Sequence, residues 1–188
     1  MDAFSYLSVL LSIILGLAIQ QVLQGYRALI LSRRRIRFYP LPLIWSALLL
    51  VIVAQHWWAS FGLADREMWS FADFATTLVL TGLIYMLAAV VLPDVRPDEP
   101  LDLREHYYRE ARAFFGLFAA AVTWSLLREL VLEDRLPERG NLLFHLLFLA
   151  VAALGLLTRR ERAHQAIAGA MTAALLAYVV LLFMRLDR

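Results

Sequence analysis

The sequence predicts an all-α polytopic membrane protein, a bundle of six transmembrane helices, and three observations carry that prediction. Of the 188 residues, 62% are hydrophobic and only 18% are charged, against roughly 25% charged in soluble domains. Six uncharged runs follow one another along the chain, five of them of the roughly 18 residues or more that argue for a spanning helix. The arginines gather between these runs rather than within them. With a mean hydropathy of +0.67, the chain carries more apolar surface than a water-soluble core of this length hides, and lipid is the solvent that accepts it. No Ser-, Gly- or Pro-rich linker divides the chain, so residues 1–188 are expected to form one domain.

The first uncharged run, Ala3 to Tyr26, continues towards the Arg33-Arg34-Arg35 cluster, and its span is expected over about residues 3–32. It has no basic leader and no cleavage site of small residues, so it is expected to stay in the mature protein. Phe38 to Ala64 gives a second span over 40–63, opened by Pro40, and Phe74 to Pro93 a third over 71–92. The fourth run, Ala113 to Leu127, is short. At 1.5 Å per residue it covers only about 22 Å of a core about 30 Å thick. The span must therefore recruit Arg128 and Glu129, and its expected extent is 101–133. Leu103, Tyr107, Ala111 and Phe114 recur at four and three residues there, and Glu105 and Arg109 form an i,i+4 pair. Gly140 to Thr158 and Gln165 to Met184 supply spans over 140–158 and 164–185.

Orientation follows from arginine placement. Twelve arginines fall on the side that holds Arg33, Arg34, Arg35 and Arg37, and six on the other, which makes the first side cytoplasmic. An even number of spans then puts the N- and C-termini both outside. The setting this implies is a bacterial-type inner membrane, with membrane lipid as the first partner and Arg33, Arg34, Arg35 and Arg37 as lipid or protein contacts.

Two constellations could carry chemistry. Along the first helix, Ser5, Ser8, Ser12, Gly16, Gln20, Gln24 and Arg27 recur at three or four residues, a polar stripe that should face protein or water rather than lipid. Gln20 and Gln24 are its candidate ligand-facing amides. The second constellation is a layer of ionisable and amide groups which the topology brings to one depth near the outer face: Gln55, His56, Asp73, Arg128, Glu129 and His145. Ionisable groups at such a depth are costly unless paired or solvated, which makes the layer a candidate ion, proton or ligand site. The competing reading is an interfacial belt beside Trp57, Trp58 and Trp69. Arg128, with the longer stem, is expected to reach outward, and Glu129 to turn inward.

Several classes are set aside. The chain has no cysteine, which removes disulfides, thiolate-bound metals and thiol catalysis. The phosphate-loop, dinucleotide, nucleophile-elbow and zinc-protease motifs are absent, so no enzyme class is indicated. The net charge of +2 is not gathered on a soluble basic face, which argues against nucleic acid as a partner. No cofactor is expected. Haem or metal at His56 and His145 is the weaker alternative, since His106 and His164 fall in cytoplasmic segments rather than within spans. The leading expectation is a small channel or transporter subunit, homo-oligomeric, passing an ion or small polar solute. A non-catalytic assembly or sensory subunit that docks a partner through its cytoplasmic helix ends is the alternative, and a membrane redox or metal protein the second.

Overall fold

A computed structural model describes residues 3–64, 66, 68–94, 100–133 and 137–182. Arg96, Asp98, Glu99, Arg135, Arg185 and Arg188, and the end of the sixth expected span, lie outside the described residues. Among the described residues the regular structure is helical apart from one short strand pair, with α1 over Ala3–Leu31, α2 over Pro40–Ala59, α3 over Phe71–Val91, α4 over Leu103–Glu133, α5 over Arg139–Leu157 and α6 over Glu161–Leu182. All six are long and apolar enough to cross a membrane.

Local chemistry sets the helix boundaries. Pro40 opens α2, where its fixed φ suits the first turn and its missing N–H costs nothing. A 3-10 turn over Ser60–Leu63 extends that helix. Ser70 and Asp73 form a capping box on α3: the Ser70 hydroxyl accepts from the Asp73 amide at 3.1 Å, and the Asp73 carboxylate accepts from the Ser70 amide at 2.8 Å. Asp102 caps α4, its Oδ1 accepting from the amides of Arg104 at 2.8 Å and Glu105 at 3.1 Å. Those amides, with the Arg37 guanidinium at 3.3 Å, hold the Asp102 carboxyl below its ordinary range. The sixth helix starts at Glu161, earlier than the uncharged run suggests, because an acidic residue in the first turn suits the helix dipole.

The connections fall at two ends of the bundle, one marked by Arg33 and the other by Arg128. At the Arg33 end, β1 (Ile36–Arg37) pairs in parallel with β2 (Leu101–Asp102), Ile36 opposite Leu101 and Arg37 opposite Asp102. The chain after α1 is thereby fastened to the start of α4. Arg104 adds a 3.1 Å ion pair to Glu161 of α6. The expected Glu105–Arg109 pair is replaced by Arg109 to Glu110 at 2.9 Å.

The long helix α4 is the central element and packs chiefly on α3 and α5, while α1 lies on α3. Its stripe of Leu103, Tyr107, Ala111 and Phe114 is buried. The core centres on Trp45 of α2, whose ring meets Phe114, Phe115 and Phe118 edge-on at 5.2, 5.3 and 6.1 Å. Gly155 of α5 lies so close to Phe115 that a Cβ there would stand 2.5 Å from the ring, so this crossing requires glycine. The α1 face that enters the core carries Leu7, Leu11, Leu15, Ala18 and Val22.

Candidate functional site

The layer expected from sequence forms at the Arg128 end, and it is built from α3 outward. Asp73, Thr77 and Thr81 recur every four residues, so they share one face of α3, and all three are buried. The Thr77 hydroxyl donates to the Asp73 carbonyl and the Thr81 hydroxyl to the Thr77 carbonyl, each at 2.9 Å. Each hydroxyl oxygen is then left as an acceptor. Arg128 Nε of α4 donates to Thr77 Oγ1 at 3.2 Å, and His56 of α2 meets Thr81 Oγ1 through Nε2 at 3.1 Å. Since the threonine proton is already used, the network assigns the proton of that last bond to His56 Nε2.

Asp73 is also the anchor of the adjoining loop. Its carboxylate accepts from Arg66 at 3.1 Å, and Arg66 further donates to the carbonyls of Met68 and of Leu132 in the last turn of α4. A cation on the last carbonyls of a helix completes the dipole there.

The other half of the layer joins α4, α5 and α6. Asn141 Nδ2 donates to both carboxylate oxygens of Glu129, at 3.1 and 2.9 Å, and Asn141 Oδ1 accepts from the Tyr178 hydroxyl at 3.3 Å. His145 Nδ1 donates to the Asn141 carbonyl at 2.9 Å, which leaves Nε2 to accept from the Ser125 hydroxyl at 3.2 Å. Arg128 and Glu129 are neighbours about 100° apart on the helix surface. One serves α2 and α3, the other α5 and α6. The expectation that Arg128 reaches outward is corrected: it turns inward, because Thr77 presents it with an acceptor whose own proton is engaged. Beneath the second half lies a small cavity of about 80 Å³. Gln55, Ser125, His145 and Tyr178 contribute its polar lining, and the remainder is apolar, with Phe118 and Met171 among it.

The structure thus gathers His56, Asp73, Arg128, Glu129 and His145 into one layer. It separates Gln20 and Gln24 from it. Both glutamines are exposed on α1, on the side away from the packed leucines, so the expected inward-facing polar stripe faces away from the bundle core. The reason is competition between faces: five apolar residues take the contact with the neighbouring helices, and the amides take the remaining surface. Ser12 on that side accepts from the Trp57 indole of α2 at 3.2 Å. Arg33, Arg34, Arg35 and Arg37 are exposed at the opposite end of the bundle, Arg33 folded back on the Ile30 carbonyl and Arg37 on Asp102.

Six partners of the layer were not read from sequence, Ser125 among them. Thr77 and Thr81 were legible in the four-residue repeat from Asp73, and Asn141 stands one turn before His145. Nothing local marks Arg66 or Tyr178. His106 and His164, expected in segments outside the spans, lie instead within helices long and apolar enough to cross a membrane, and both are buried. His164 accepts from the Tyr107 hydroxyl at Nδ1 and donates to the Thr158 carbonyl from Nε2, each at 2.9 Å. Among the described residues no group of three His, Asp or Glu side chains stands close enough to hold a metal. Chemically, the layer fixes charge and rigidifies the helix ends, and it offers the His145, Tyr178 and Gln55 edges to the cavity below.

Comparison of the chain with known protein families, with curated proteins and with solved structures finds no match.

Proposed function

We propose that the chain is a subunit of a homo-oligomeric channel or transporter in a bacterial-type inner membrane, with Arg33, Arg34, Arg35 and Arg37 on the cytoplasmic side and both termini outside. An ion or small polar solute would pass along the polar face of α1, between copies of the chain. The observation that supports this reading is the exposure of Gln20 and Gln24 on a helix long and apolar enough to span. Amides turned to hydrocarbon find no hydrogen-bond partner, whereas a second copy or a water-filled path supplies one. The cavity of about 80 Å³ inside the bundle is lined chiefly by apolar groups, so a path within one chain is the less favoured arrangement. The outer layer, in this reading, holds α2 to α6 in register while α1 meets its neighbour.

The absence of cysteine makes the test direct, since Gln20→Cys introduces a lone thiol. Oxidation should link Gln20→Cys chains in the membrane and leave Leu11→Cys chains, altered on the buried face, unlinked. Liposomes carrying the protein should pass a monovalent ion or small solute, and Gln20→Leu with Gln24→Leu should abolish that flux. Neither linkage nor flux of any solute tried would sink the reading. The alternative of a docking or sensory subunit draws on the exposed arginines of the Arg33 end, and recovery of a stoichiometric partner that contacts them would favour it.

A further inference from the structure

The Arg33 end carries a second feature, remote from the layer: an apolar groove of about 390 Å³ between the last turns of α1 and the start of α2. That volume falls in the range of small-molecule sites. Tyr26, Leu29, Ile30 and Arg33 share one face of α1 there, and at 1.5 Å per residue the stretch they cover runs about 10 Å. Leu29 and Leu103 are buried at the floor, while Ile30 of α1 and Phe38, just before α2, stand exposed as the edges. Ile36 is fixed beside them by its pairing with Leu101, and Tyr26 by its hydroxyl, which donates to Ser46 Oγ at 2.8 Å because the Ser46 proton is engaged by the Leu43 carbonyl. The walls are therefore set before anything binds.

The groove is polar at one end only. At the inner end the Tyr26 hydroxyl is already spent, and among the described residues no carboxylate lines the groove. At the outer end stands Arg33, which gives one N–H to the Ile30 carbonyl at 3.3 Å and keeps the rest of its fork. Arg34 and Arg35 follow it, both exposed, while Arg37 is held by Asp102. The cation thus lies at the end away from the uncharged run of α1, and hydrocarbon lines the remainder, which is the order of groups in an amphiphile with an anionic head. An extended peptide would bring backbone N–H and C=O groups to a lining that offers them no partner. A second copy seated here by its own Arg33 end would set like charge against like charge. An acyl chain brings neither difficulty.

We propose that this groove is a site for an anionic phospholipid, with one acyl chain lying along Tyr26, Leu29 and Leu43 and the phosphate held by the guanidinium of Arg33, helped by Arg34 next in the turn. It rests on the reading that the Arg33 end of the bundle meets lipid headgroups, and the test separates the two. The full-length protein is placed in nanodiscs of phosphatidylcholine with a small share of phosphatidylglycerol that carries a diazirine on one acyl chain. After illumination the labelled residues are located by peptide mass spectrometry. Unlabelled phosphatidylglycerol then replaces the phosphatidylcholine stepwise, the labelled share of total lipid being held constant.

Adducts are expected in the groove, on Tyr26, Ile30, Phe38 or Leu43, and should be competed away as phosphatidylglycerol replaces phosphatidylcholine. Adducts on Ile13 and Leu17, exposed farther along α1, should not be. Arg33→Gln with Arg34→Gln, both exposed changes, should weaken the apparent affinity for phosphatidylglycerol by roughly ten-fold or more. Phe38→Ser, which removes an exposed edge and no charge, should lower labelling of the groove. The proposal is overturned, with the membrane placement intact, if Ile13 and Leu17 are labelled and the groove is not, or if groove labelling ignores both the competing lipid and the double arginine change. It is equally overturned if oxidation of Phe38→Cys, a lone thiol in this cysteine-free chain, links two chains in the membrane, which gives the groove to a second copy. No adduct on any helix overturns the membrane placement along with it.

Discussion

The two ends of α4 treat buried polar groups in opposite ways. At the Arg128 end, His56, Asp73, Thr77, Thr81, Asn141 and His145 all have hydrogen-bond partners, and α2 through α6 are tied together by them. At the Leu103 end, His164 is equally satisfied, but His106 is buried facing the Val90 and Val91 carbonyls of α3 without a well-formed hydrogen bond. The difference teaches that a polar residue inside an apolar bundle is not by itself a site. A group whose donors and acceptors are all used specifies the packing, and a group left incomplete is the one with chemistry to spare.

The sharpest way to break the comparison is at Asp73. Asp73→Ala removes both the α3 cap and the carboxylate that meets Arg66, whose side chain is 29% exposed and so partly screened. A loss of about 2–3 kcal/mol is expected, measured as a fall in folded yield and in the unfolding temperature in detergent. An unchanged unfolding temperature would mean that the layer does not hold the helix ends together.

Asn141→Leu should come next, since it takes two hydrogen bonds from Glu129 and one from Tyr178. The expected loss is roughly 1.5–3 kcal/mol for bonds to a charged group. Glu129→Gln on the Asn141→Leu background should then cost less than Glu129→Gln alone, because the shared interaction is already gone. Additive losses would show that Glu129 and Asn141 act independently. Loss of flux in Glu129→Gln at normal yield would instead make the layer part of the transport path.

The two histidines of the Leu103 end test the same contrast side by side. His164→Leu strips two hydrogen bonds and leaves the Tyr107 hydroxyl and the Thr158 carbonyl short of a partner, at about 1–3 kcal/mol. His106→Leu exchanges an unsatisfied group for an apolar one and should change stability by less than about 1 kcal/mol, in either direction. Equal losses from the two changes would collapse the distinction between a satisfied and an incomplete histidine.

The smallest effect belongs to Asp102. Its carboxyl is held below the ordinary range in the fold, so its charge contributes stability above the unfolded value of about 3.9 and loses that contribution as pH falls through the lower folded value. Asp102→Asn keeps a capping oxygen and removes the charge. Its unfolding temperature should lie slightly below that of the parent at neutral pH and converge with it below about pH 4. A gap that persists in acid would assign the effect to shape rather than charge.

Much of this molecule is legible in its residues. The six helices follow from six apolar runs, because run length and the scarcity of charge are local properties that no later packing alters. The place where α4 must begin, near Leu101, followed from its apolar stripe and from the prolines before it. Six residues of the Arg128 end could be named from topology alone, since alternating helices bring Gln55-His56, Asp73, Arg128-Glu129 and His145 to one end of the bundle. Which way each side chain turns was not legible. Arg128 points inward because of Thr77, 51 residues earlier in the chain, and Gln20 and Gln24 point outward because Leu7, Leu11, Leu15, Ala18 and Val22 make the better contact.

By itself, then, the sequence determined the number of helices long and apolar enough to cross a membrane, because that depends on composition along single stretches. Only the tertiary structure decided which polar groups are completed by a neighbour and which are not. That is a property of pairs far apart in sequence: His164 and His106 look alike one turn into their helices, yet one bonds to Tyr107 and Thr158 and the other faces the Val90 and Val91 carbonyls without a well-formed hydrogen bond.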